Sequence, residues 1–137
     1  MALDTVIRRL RDLNEPVPTP PRLPTDAEVS AAEQQLGVTF HSDFRRYLLE
    51  ASDVVFGTIE PATITRPNSH THLSKICGKA WKAGVDRKFL PICAYNGDYY
   101  CINVQGEVLF LSHNGWSSET WPDLATWIEQ VWIEGSA

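Results

Sequence analysis

The residues of this chain best equipped for covalent chemistry are three cysteines, Cys77, Cys93 and Cys101, and four histidines, His41, His70, His72 and His113. A thiolate beside a histidine base would make a nucleophile for acyl transfer, and Cys93 or Cys101 with His113 is the pair on offer. Such a cysteine needs a cation or a helix N-terminus to lower its pKa, and nothing in the sequence sets one there. Both cysteines lie in apolar runs, where a thiol is usually core. They flank Asn96-Gly97 and are expected to face each other across that turn. An odd number of cysteines without framework spacing reads as free thiols in a reducing compartment. His70-Thr71-His72 with Cys77 could supply three metal ligands, but a structural zinc site needs a fourth, and none stands at a recognised spacing. There is no phosphate-cradling glycine loop and no paired-carboxylate motif. The expectation is a protein that is not an enzyme and needs no metal or cofactor.

The remaining chemistry is recognition. Residues 89–137 contain no lysine or arginine, six acids (Asp98, Glu107, Glu119, Asp123, Glu129 and Glu134) and four of the five tryptophans. Residues 1–88 carry all twelve basic residues against eleven acids. Acidic, aromatic-rich surface suits a basic protein partner and repels phosphate backbones and anionic lipid. The net charge of −5 likewise counts against direct nucleic-acid binding, despite a small basic cluster at Arg8, Arg9 and Arg11. Asp98, Glu107, Trp116, Glu119 and Asp123 are the candidate partner contacts. Asp98 follows a hairpin glycine, so turn chemistry has the stronger claim on it. Trp116 stands in a polar loop, Ser112 to Ser118, with no period to bury it. It is either a lid on the core or an interface anchor. Trp121 before Pro122 should pack at a helix start, Trp127 is core, and Trp132 is expected to be partly exposed.

The elements that must position these residues read as one domain over 1–137, with 1–24 a helix plus proline-rich connector and 25–133 the main body. That length buries about two-thirds of the unfolded chain's surface, enough for a core without staples. Leu3, Ile7 and Leu10 share a face of a helix over 3–13 that Asp4 could cap. Pro16 to Pro24 is an extended connector. Thr25-Asp-Ala-Glu28 is a capping box, and Gly37 closes that helix. A second helix runs from Ser42 to Ala51 with Phe44, Tyr47, Leu48 and Ala51 inward. Val54 to Glu60 is a β-branched run that reads as a strand stopped by Pro61. Residues 61–71 are irregular, and 72–83 form a helix. From Phe89 the period becomes two. Strands over 89–95, 99–104 and 107–112 form a three-stranded meander, with Asn96-Gly97 the hairpin signal. A last helix starts at Pro122 or Asp123 and buries Leu124, Trp127, Ile128 and Val131. The fold class is α+β, with a mainly antiparallel sheet and helices packed on one face. Apolar runs of four or five residues are too short to cross a membrane, and the charged N-terminus lacks a secretory h-region, which points to the cytoplasm.

Three blocks in this order resemble the SUKH superfamily of Smi/Knr type. The first is Glu33-Gln-Gln-Leu-Gly-Val-Thr-Phe-His-Ser-Asp-Phe-Arg-Arg-Tyr-Leu-Leu49. The second runs from Phe89-Leu-Pro-Ile92 through Asn96-Gly-Asp98, Tyr100-Cys-Ile-Asn103 and Gly106-Glu-Val108 to His113. The third is Leu124-Ala-Thr-Trp-Ile128. Three positions depart from the family pattern: His41 replaces a usual proline, Ser52-Asp53 replaces Asn-Gly or Gly-Gly, and Asn103 replaces a common aspartate. The resemblance implies an α+β binding scaffold with no known catalytic residues. Bacterial members are mostly immunity proteins that neutralise toxin domains, often nucleases, so the implied partner is a basic toxin domain. Yeast members regulate cell-wall assembly, which makes an envelope-assembly scaffold the alternative.

Overall fold

The computed structural model describes residues 2–112 and 115–136, with the side chains of 115–118 and 136 outside the description. Five α-helices, α1 (Leu3–Leu13), α2 (Asp26–Leu36), α3 (Ser42–Glu50), α4 (Leu73–Lys82) and α5 (Leu124–Trp127), accompany four strands, β1 (Leu90–Tyr95), β2 (Asp98–Ile102), β3 (Val108–Ser112) and β4 (Gly115–Trp121). The strands form one antiparallel sheet in sequence order. The α+β reading stands.

The helices follow from their sequences. α1 buries Leu3, Val6, Ile7 and Leu10, spaced three and four apart. Asp4 does not cap it; its carboxylate accepts a hydrogen bond from Arg46 of α3 instead. Thr25 and Glu28 form the capping box, and Gly37 closes α2 in the left-handed region at φ 70°. In α3 the buried face is Phe44, Tyr47 and Leu48, and Ala51 just beyond is fully buried. Glu33 ties α2 to α3: its carboxylate accepts the Phe40 N–H and the Arg45 guanidinium, each at 2.8 Å.

Three expectations need correction. Val54 to Glu60 is not a strand. The Val55 N–H donates to Asn14 Oδ1 and its carbonyl accepts from the Glu15 N–H, both at 2.8 Å, so this backbone is satisfied by the proline-rich connector. β-Branching here serves burial of Val54 and Ile59, not a ladder. The meander has four strands, because residues 115–121, expected as a loop, add at the β3 edge. An edge strand is held by backbone hydrogen bonds and can form without the alternation that sequence reading looks for.

Trp132 is the third. It is buried, and its Nε1–H donates to the Phe56 carbonyl at 2.9 Å. The cause is a change of helix type. α5 runs directly into a π-helical segment, Ile128–Ile133, and a 3-10 turn, Glu134–Ser136. The buried pairs Trp127-Ile128 and Trp132-Ile133 are five residues apart. On an α-helix such positions diverge by about 140°. The i→i+5 closure of a π-helix brings them back to one face.

The sheet has two unlike faces. Tyr100, Ile102, Val108 and Phe110 turn toward α1, α3 and α5, where Tyr100 meets Phe110, Trp127 and Trp121 with ring centroids 4.7, 5.3 and 5.7 Å apart. Cys101 points the other way, into a smaller cluster with Ala80 and Val85, flanked by Trp81, Phe89, Tyr99 and Leu111. α4 thus packs along β1 and leans over the second face.

Candidate partner-binding surface

The five candidate residues are not gathered in one place. Asp98 opens β2, half-buried and opposite Tyr95 beside the Asn96-Gly97 turn. Trp116 lies at the same end by its backbone pairing with Leu111; its side chain lies outside the described residues. Glu107 stands at the other end, on the turn between β2 and β3, where it is exposed and accepts Asn103 Nδ2 at 2.9 Å. Five-residue strands rising about 3.3 Å per residue separate the two ends by roughly 15 Å. Glu119 is exposed on β4, close enough to Tyr100 to join burial and Cys93 in pushing that phenol up to about 12.

Asp123 has a structural task. It is the N-cap of α5, accepting the Thr126 N–H at 2.7 Å and the Thr126 hydroxyl at 2.6 Å. Burial works to raise its pKa, but the hydrogen bonds from Thr126 are among the stronger influences that together hold it below the usual carboxylate range. Glu129, another acid of the last third, is paired with Arg9. Glu107 and Glu119 therefore remain the exposed members of the candidate set.

His113, the candidate base for Cys93 or Cys101, lies outside the described residues. The register opposes Pro91 to Cys101 and Cys93 to Tyr100 across a bulge, so Cys93 and Cys101 do not face each other. They belong to separate clusters, and all three thiols are free and buried. Burial pushes each thiol up to about 12, away from a nucleophilic thiolate; for Cys77 the nearby Arg87 only partly offsets it. His70 pairs with Glu60 while Cys77 turns toward the Pro91 carbonyl, so His70, His72 and Cys77 do not converge. Among the described residues no group of three His, Cys, Asp or Glu side chains could hold a metal. No helix among them is long and apolar enough to cross a membrane.

Two features escaped the sequence. The first is an open cleft of about 700 Å³ walled by the segment 51–72 between α3 and α4, lined in part by Tyr47, Phe56, Glu60 and Arg66. His41 does what the family's proline cannot. Its Nδ1 accepts the Asp43 N–H at 3.1 Å to cap α3, and its ring lies against Gly106, where an added Cβ would approach to 2.6 Å. The chain-order motif put His41 and Gly106 in different blocks, so their contact left no local signal.

This architecture has known relatives. The family described as SMI1-KNR4 cell-wall, SUKH_5, matches residues 3–133. The chain belongs to this SUKH family. A crystal structure of a protein from Pseudomonas syringae pv. tomato is similar at a TM-score of 0.92 and 42% identity, covering 96% of this chain and 98% of that one. No curated protein matches. Within the SUKH frame, the Glu33 of the first block is a clamp between helices. Asn103, where an aspartate is common, accepts the N–H groups of Gln105 and Glu107 with its side-chain oxygen, which either residue type could do. Ser52 turns the chain by donating to the Leu48 carbonyl at 2.6 Å, and Asp53 pairs with Arg11.

Proposed function

We propose that this SUKH protein is a non-enzymatic binding module, an immunity protein that acts inside the cell by occluding a basic toxin domain. The carrying observation is the absence of any lysine or arginine from residues 89–137, which build the whole sheet and the last helix. Glu107 and Glu119 present that charge to solvent. A basic cleft approaching this surface is accelerated by the field, and desolvated aromatic contacts slow its departure. The high thiol pKa values support the non-catalytic part of the reading.

The test is binding to the protein encoded next to this gene, measured at several salt concentrations for the parent and for Glu107→Lys with Glu119→Lys. The expected result is slower association for the variant and a shallower salt dependence. Unchanged kinetics at every salt concentration would remove the electrostatic mechanism. Asp123 is unsuitable for this test because its loss uncaps α5. The cell-wall description of the family favours a second reading, a scaffold in envelope assembly. A gene neighbour that makes envelope polymer, and binds this chain, would select it.

A further inference from the structure

The most exposed large apolar side chain described is Val104, 75% accessible. It is not on a loose tip. The Gln105 and Glu107 N–H groups donate to Asn103 Oδ1 at 3.1 and 2.9 Å, and the Gly106 N–H donates to the Asn103 carbonyl at 3.1 Å. The His41 ring against Gly106 fixes this turn to the start of α3. Val104 is thus held at the rim of an open hollow of about 430 Å³, over Val38, Phe40, Leu90 and Ile102.

The lining of this hollow is also cationic. It carries Arg87 and Lys88. Arg87 is held in place by the Leu36 carbonyl at 2.9 Å and by the Trp81 ring, 4.2 Å from its guanidinium carbon. Lys88 lies over the Phe89 ring, 5.3 Å from its centroid, and has no ion pair among the described residues; Lys75, Lys79 and Lys82 have none there either. These are all the lysines of the chain, and the one acid among residues 75–88, Asp86, accepts the Lys88 N–H at 2.9 Å. A fixed apolar hollow beside a cationic wall selects for an occupant that is apolar and anionic at adjacent positions.

We propose that this hollow anchors a segment of a partner protein in which an aliphatic side chain packs on Val104 while a neighbouring carboxylate meets Lys88 and Arg87. A phosphate backbone would answer Lys88 and Arg87 but leave the apolar floor wet. An apolar side chain alone would leave these cations, which rest on the Trp81 and Phe89 rings, without an anion. The site stands whether or not the partner is a toxin; if it is, that partner must bring an acidic-apolar segment beside its basic cleft.

The test uses the full chain and three small probes: N-acetyl-leucine, its amide, which keeps the side chain and removes the carboxylate, and N-acetylglycine, which does the reverse. Methyl shifts of Val104 in carbon–proton NMR spectra are the readout. Saturable shifts with N-acetyl-leucine, several-fold weaker with either other probe and with Lys88→Glu, are expected. The Trp127 indole signal should stay unchanged in Lys88→Glu, showing that the fold is intact. No saturable shift at Val104, or equal response to all three probes, overturns the proposal. So does a Val104 shift that follows protein concentration alone, which would give the hollow to a second copy of this chain.

Discussion

The helical layer and the surface of α4 use positive charge in opposite ways. Across α1 to α3, arginines stitch the fold: Arg46 reaches Asp4 and Glu50, Arg45 reaches Asp26 and Glu33, Arg9 reaches Glu129, and Arg11 reaches Asp53. On α4 and just after it, four lysines point outward with no ion pair among the described residues. Arginine's planar fork suits fixed carboxylates, whereas lysine is a mobile point charge. The difference separates charge that holds helices together from charge that meets no carboxylate among the described residues.

The sharpest way to break this comparison is Glu33→Ala. It strips a partly buried acceptor from both Arg45 and the Phe40 N–H. A loss of about 3 kcal/mol is expected in denaturant unfolding. A loss under about 1 kcal/mol would mean that the arginine stitching is ornamental. Gly106→Ala comes next. It sits at φ 89° and its Cβ would meet the His41 ring. A cost of about 2 kcal/mol is expected, smaller in a His41→Ala background, where the ring is gone.

The Arg22–Glu28 pair gives a pH test. Its hydrogen bond to Arg22 is the main cause that lowers the Glu28 pKa from 4.5 to about 2, joined by the Thr25 backbone. A depressed folded value stabilises the protein above the unfolded pKa. The contribution should fade as pH falls from about 4.5 toward 2, and Glu28→Gln should flatten that part of the profile. Because the pair is exposed, added salt should shrink the effect. The smallest expected change is in stability on replacing Lys75, Lys79 and Lys82 with alanine, within about 0.5 kcal/mol each by the same unfolding measurement. A larger loss would show that α4 does rely on its lysines.

Much of the fold was legible because it is written in local codes. The capping box at Thr25, the left-handed Gly37, the Asn96-Gly97 turn with both φ values positive and the apolar stripes of α1, α3 and α4 each lie within a few residues of what they determine. The failures share one cause. Val54–Glu60 and Trp132 use distant backbone partners at Asn14, Glu15 and Phe56, and β4 is a neighbouring edge strand without the expected alternation, so in each case backbone hydrogen bonding prevails over side-chain pattern. The candidate surface suffered similarly. The charge asymmetry was visible in composition, but whether an acid faces solvent, caps a helix like Asp123 or meets an arginine like Glu129 is decided by tertiary neighbours. The hollow beside Lys88 left no signal in the sequence, because its lining comes from separate stretches of chain.

The wide turn at Ile128–Ile133 bears on how this chain tolerates a change of length. Trp127 and Trp132 are five residues apart, one more than an α-helix needs to stack two side chains. Deleting exposed Gln130 would leave them four apart, and an ordinary α-helix would then aim both at the same core. An indel in the middle of a helix normally rotates everything after it by about 100°. Here the π-helical slack is expected to absorb it, so a chain shortened at this point should keep both tryptophans buried.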